Sequence, residues 1–123
     1  MYDATLEEIS ARDANFMRLF ARGANFAEAD LTGACFTAAE LRKTDFRRAI
    51  LQNARVLHAR IEDADFRKAK LNGADFSGSS FNGTDLRGAE IRGADFFGCD
   101  LRGANITGLD FSVAKTDGAR FDD

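Results

Sequence analysis

His58 is the only histidine of this 123-residue chain, and the cysteines are Cys35 and Cys99. A nucleophilic thiol or hydroxyl needs a base within hydrogen-bond reach. A structural zinc needs about four ligands. One histidine and two scattered cysteines supply neither, so no catalytic group, metal site or cofactor is expected. The recurring glycines lack the strand-loop-helix context of a phosphate cradle. What does recur is charge: Asp45, Asp65 and Asp85 stand twenty residues apart, each followed two places later by Arg47, Arg67 or Arg87. Arg48 and Lys68 extend this strip. It is either a docking or weak phosphate-binding strip, or a ladder of pairs that neutralise one another while the aspartates also accept turn N–H bonds. The second reading is favoured, because the signs alternate position by position.

The element that must position these residues is a five-residue repeat. From Ala64 to Asn105 the chain reads ADFRK AKLNG ADFSG SSFNG TDLRG AEIRG ADFFG CDLRG AN, and the frame extends over residues 4–123. Each block carries a small residue, then two places later a large apolar centre. Five fits neither the 3.6-residue helix nor an uninterrupted two-residue strand, but it fits a short extended segment followed by a turn. With both key positions inward and four segments per coil, residues twenty apart stack. About six coils result, with interior columns led by Leu6, Ala11, Phe16 and Ala21. Ile9, Leu19 and Leu109 are large where the frame wants small; at Ile9 and Leu19 the next centre is Ala11 or Ala21, which conserves core volume.

Glycine closes nearly every block from Gly73 to Gly118, whereas earlier blocks mostly close on residues such as Glu28, Lys43, His58 and Lys68. Type II corners need φ > 0 at this position, which glycine adopts freely. Regular type II corners are therefore expected in the C-terminal half and other turn types in much of the N-terminal half. Proline, which would delete a ladder donor, is absent.

The outward positions after the centres of the Phe16 column include Met17, Leu57 and Phe97. They are the candidate surface for a protein partner or for self-association. The open coil ends are a second self-association candidate, opposed by end charges such as Glu7, Glu8, Lys115, Asp122 and Asp123. Thr5-Leu6-Glu7-Glu8 also spells a capping box for a short helix over residues 4–13, although the unbroken frame favours a coil.

Composition narrows the class further. Seventeen basic residues against twenty acidic give a net charge of −3, with both signs interspersed. This argues against nucleic-acid binding and against a densely acidic surface. No apolar run reaches the ~20 residues of a membrane span, and no signal peptide is evident. One domain over residues 1–123 is expected, in the cytoplasm, where free thiols belong.

The blocks ADLTG, ADFSG, TDLRG, ADFFG, CDLRG and ANITG resemble the pentapeptide-repeat proteins. The resemblance covers essentially the whole frame. It implies an all-β fold, a right-handed quadrilateral β-helix with four pentapeptides per coil. Characterised members are mostly interaction proteins, among them quinolone-resistance proteins that bind DNA gyrase as acidic, dimeric imitations of duplex DNA. This chain departs from those in being short and weakly acidic, in ending on ARFDD without a dimerisation helix, and in showing no insertion between coils. The expected function is a non-enzymatic protein-binding or scaffold module. The alternative is a DNA mimic that binds gyrase or topoisomerase and confers quinolone protection.

Overall fold

The computed structural model describes residues 3–122. The chain is a right-handed quadrilateral β-helix. Parallel bridges link residues twenty apart, and the column Thr5, Asn25, Asp45, Asp65, Asp85, Asn105 counts its six coils. The four faces are numbered here by their first centres: face 1 carries Leu6, face 2 Ala11, face 3 Phe16 and face 4 Ala21.

Most blocks repeat one hydrogen-bond scheme. The centre donates to the following coil (Phe46 N–H to the Asp65 carbonyl, 2.8 Å), and its predecessor donates to the preceding one (Asp45 N–H to the Ala24 carbonyl, 2.9 Å). The corner residue also donates forward (Arg48 N–H to the Arg67 carbonyl, 3.0 Å). A fourth bond closes the turn, from Ala49 N–H to the Phe46 carbonyl at 3.1 Å. The backbone is thereby satisfied although each extended segment is very short.

Small and large inward residues fill the interior together. Ala24, Phe26, Phe46, Phe66, Phe76 and Leu71 are wholly buried. Phenylalanines of one column lie parallel, as Phe26 and Phe46 do at 5.3 Å and 5°. Rings from facing columns meet edge-on, as Phe36 and Phe46 do at 5.9 Å and 87°. Both geometries suit the aromatic quadrupole. Where the small residue is polar, it bonds to a centre carbonyl 23 residues earlier: Thr44 to Ala21 (3.1 Å), Thr84 to Ile61 (2.8 Å). The interior thus admits a hydroxyl without leaving it unpaired.

Three sequence expectations are resolved by the backbone. The stretch 4–13 is a coil, since Leu6 and Ala11 donate to the carbonyls of Asn25 and Asp30 at 2.7 and 2.8 Å. Asp3, outside the frame, takes a corner conformation with φ of 53°. The expected change of turn type between the halves is wrong: Glu28, Ala38, Lys43, Arg48, His58, Asp63 and Lys68 all have φ between 53° and 60°, on the side of zero that Gly73 and Gly98 occupy. The ladder on both sides of each corner dictates this conformation, and it overrides the residue's own preference at about 1 kcal/mol each.

Among the described residues the scheme lapses singly at Gly83, whose forward bond to Arg102 is absent while the Asn82 amide takes that carbonyl, and at Ala59, which donates to the Ser79 hydroxyl; it fails over several bonds in one place. Between coils 5 and 6, where faces 1 and 2 meet, the forward bond from Gly88, the backward bond from Asp110 and the forward bond from Ile91 are all missing. Glu90 correspondingly has no bridge to Asp110. The chain there forms a 3-10 turn over Phe111–Val113. Gly93 bonds to the Val113 carbonyl at 2.8 Å, one residue later than the register of Gly73 and Arg92. Two residues cause this. Leu109 is large at an inner small position and, unlike Ile9 and Leu19, is followed by a large centre, Phe111. Val113 occupies a corner needing φ > 0, which a β-branched residue resists.

Candidate interaction surfaces

On face 1 the aspartates and arginines meet as their spacing requires. Asp45, Asp65 and Asp85 each accept the backbone N–H of the arginine two places on, at 2.9, 3.0 and 3.1 Å. The arginine side chain folds back side-on: Arg47 Nη2 to Asp45 at 2.7 Å, Arg67 Nη2 to Asp65 at 2.7 Å, Arg87 Nη2 to Asp85 at 2.6 Å. Longer contacts of 3.9 and 3.8 Å run from Arg47 to Asp65 and from Arg67 to Asp85. The Arg87 hydrogen bond holds the Asp85 carboxyl below its usual range. At Asp45 burial opposes the charge, yet the bonds from Arg47 prevail and its pKa also falls. The strip is an alternating, internally paired ladder. Arg48 and Lys68, exposed at the corner, join Arg47 and Arg67 around a shallow depression of about 170 Å³.

Face 4 repeats the device with Glu40 and Arg42 (2.8 Å) and with Asp100 and Arg102 (2.9 Å). The Arg102 hydrogen bond pulls the Asp100 carboxyl far below its usual range.

Face 3 differs. Met17, Leu57 and Phe97 fall in one outward column, with Thr37 and Ser77 between them. Met17 is 51% exposed and Phe97 59%, while Leu57 lies half-buried. The three do not form one continuous patch, since four coils at ~4.8 Å each separate Met17 from Phe97. The residue that sequence reasoning missed is Phe20, 59% exposed. It precedes the small centre Ala21 on face 4, across the Arg18 corner from Met17. An aromatic at an outward position was its signal.

His58, Cys35 and Cys99 stay apart. His58 is at an exposed corner. Cys35 is half-buried, its Sγ 3.4 Å from the Thr37 hydroxyl, which lowers the thiol pKa. Cys99 is wholly interior, 2.9 Å from the Phe76 carbonyl, and burial pushes its thiol up to about 12. Among the described residues no three His, Cys, Asp or Glu side chains gather where a metal could sit. No helix of the described residues is long and apolar enough to cross a membrane.

Known proteins share this architecture. The signature of the pentapeptide repeat region matches residues 22–96, and that of the eight-copy pentapeptide repeats matches 1–42 and 79–115. No curated protein sequence matches the chain. Among solved structures, a pentapeptide repeat protein from the Arabidopsis thaliana thylakoid lumen is similar at 25% identity and a TM-score of 0.72. That match covers 77% of this chain and 65% of the other, so this chain spans less than two thirds of that relative. HetL, involved in heterocyst differentiation regulation in the cyanobacterium Nostoc, is 22% identical over 94% of this chain and 75% of its own, with a TM-score of 0.37. The plasmid-mediated fluoroquinolone resistance protein QnrB1 is 19% identical over 97% and 83%, with a TM-score of 0.34. With over half its length matched by the repeat signature and its coils built from five-residue blocks, the chain belongs to the pentapeptide-repeat family.

Proposed function

We propose that this protein is a non-enzymatic scaffold that binds a protein partner, with face 3 as its docking side. The observation that carries this is Phe97, an aromatic 59% exposed on the face with the least charge. Large aromatics presented to solvent on a rigid surface are the usual anchors of protein interfaces. The rigidity comes from the packed columns, so little ordering cost accompanies binding. The paired ladders of faces 1 and 4 serve solubility, since their charges are spent on one another and leave no continuous anionic strip of the kind a DNA mimic needs. The two free thiols fit a reducing, cytoplasmic setting.

Capture from lysate on immobilised protein tests the reading, with Phe97→Glu, Met17→Glu/Phe20→Glu and Arg47→Glu/Arg67→Glu variants in parallel. A partner lost with Phe97→Glu and kept with the arginine variant supports it. Recovery of gyrase, lost only with the arginine variant, would reverse the assignment of the faces.

A further inference from the structure

Between coils 3 and 4, at the corner where faces 1 and 2 meet, Arg47, Arg48, Arg67 and Lys68 surround a depression of about 170 Å³ that no carboxylate lines. Two of these cations are held in place. Arg47 and Arg67 bond side-on to Asp45 and Asp65 through Nε and Nη2, which leaves Nη1 of each without a hydrogen bond. The other two are unbalanced, since Arg48 and Lys68 enter no ion pair among the described residues. Their backbone is fixed all the same, because each donates to the next coil, to the Arg67 and Arg87 carbonyls at 3.0 Å. Like charges directly opposite one another on neighbouring strands repel. The charge of Arg47 weighs against that of Arg67 in this way.

The positive stretch is short. In the same corner column Glu8 and Glu28 precede Arg48, while Gly88 and Gly108 follow Lys68. A second depression, of about 210 Å³, places Glu7 and Glu28 beside Arg47 and Arg48 on the N-terminal side. Lys70, two residues past the corner on face 2, adds a further exposed cation without an ion pair, and Glu90 follows it on the next coil. The surplus of positive charge thus spans two coils, spaced by ~4.8 Å. That is the extent of one anionic group and not of a polyanion running along the rod.

We infer that this corner is a binding site for a phosphate monoester dianion. Its oxygens accept from the Arg48 guanidinium, the Lys68 ammonium and the free Nη1 groups of Arg47 and Arg67. Arginine supplies planar forks that match phosphate oxygens, and lysine supplies a point charge. A monoester brings close to two negative charges and three acceptor oxygens, which matches the two unbalanced cations. A carboxylate brings one charge, and a diester backbone would continue into Glu28. The depression has the volume of several waters, at about 30 Å³ each, so a phosphate group fits in it. The group arrives as phosphoserine or phosphothreonine on a protein segment, or as a free phosphorylated small molecule. The site lies away from Phe97 and holds whether or not face 3 binds a partner.

Titration of 15N-labelled protein with inorganic phosphate at constant ionic strength tests the site. The Nε–H signals of Arg47 and Arg67 and the amides of residues 47–49 and 67–69 should shift and saturate, with a Kd on the order of 1 mM for so exposed a site. Dimethyl phosphate, a monoanion, should bind at least about tenfold more weakly. Arg48→Gln/Lys68→Gln removes the unbalanced charges and keeps the Asp–Arg ladder, so it should fold like the parent and also lose at least about tenfold in affinity. Arg102→Gln/Lys115→Gln removes the same charge elsewhere and should bind like the parent. Shifts that do not saturate, equal binding of dimethyl phosphate, unchanged binding by the Arg48/Lys68 variant, or an equal loss in the charge-matched variant overturns the proposal. Acetyl-Gly-phosphoserine-Gly-amide separates the two sources. Binding at least about tenfold tighter than inorganic phosphate supports the site and assigns it to a phosphorylated protein segment. Any smaller gain supports the site and assigns it to free small phosphates. Phe97→Glu should leave phosphate binding unchanged, so a partner captured through Phe97 while phosphate fails sinks this site and leaves the scaffold reading standing.

Discussion

Phe46 and Phe66, twenty residues apart in sequence, stack with ring centroids 4.8 Å apart and planes within 9° of parallel. Phe66 also meets the edge of Phe76 at 6.1 Å and the tilted ring of Phe81 at 6.4 Å. It joins three of the four columns at mid-rod. Phe66→Ala therefore leaves a cavity that the ladder on either side prevents from collapsing. Chemical denaturation should show a loss of about 3 kcal/mol. An unchanged midpoint would mean that the ring does not carry the load its packing indicates.

Corner strain should be reciprocal between the two halves. Ala38 has φ of 60°, and Gly98 has φ of 65° with open space where a Cβ would stand. Ala38→Gly should stabilise by about 1 kcal/mol and Gly98→Ala should destabilise by about as much, since only the backbone preference changes. Thermal melts of the two variants check this. Shifts of the same sign would show that side-chain contacts, not φ, govern the corners.

Acid should weaken the fold through the aspartate ladders. Asp45, Asp85 and Asp100 have pKa values below the ordinary 3.8, held down by arginine and backbone hydrogen bonds against burial. A depressed folded pKa contributes stability that is present above the ordinary value and is lost as pH falls through the folded one. The melting temperature should thus be level at neutral pH and decline below about pH 4. Asp100→Asn should melt lower than the parent at pH 7 and converge on it in acid. A constant gap across pH would assign the effect to packing.

The two thiols should react very differently. Cys35 is half-buried with its pKa lowered by Thr37, while Cys99 is interior with its thiol pushed up to about 12. Iodoacetamide at pH 8 should label Cys35 in the native protein and Cys99 only after denaturation, because the thiolate is the nucleophile. Mass mapping of the labelled sites decides it. Equal labelling would mean that coil 5 opens readily.

Much of the architecture was legible because the repeat is strict. A small residue and a large centre every five positions place Ala24, Phe26, Phe46 and Leu71 inside, and the same register pairs Asp45 with Arg47. Face 3 was partly legible: the register puts Met17 and Phe97 outward, but sequence reasoning did not foresee that Leu57 lies half-buried, and it overlooked Phe20 on the neighbouring face 4. Periodicity says on which side of the wall a residue falls, while its exposure depends on how the neighbouring coils shade it.

By itself the sequence determined the frame, the inward columns and the charge pairing, because these follow from composition repeated at a fixed interval. Only the tertiary structure decided the rest. It forces residues such as Lys68 and His58 into a positive φ they do not favour, since ladders above and below fix the corner. It also turns Leu109 and Val113, two departures in a long regular chain, into a split between coils, since one overfilled block cannot close against a wall that neighbouring coils hold rigid.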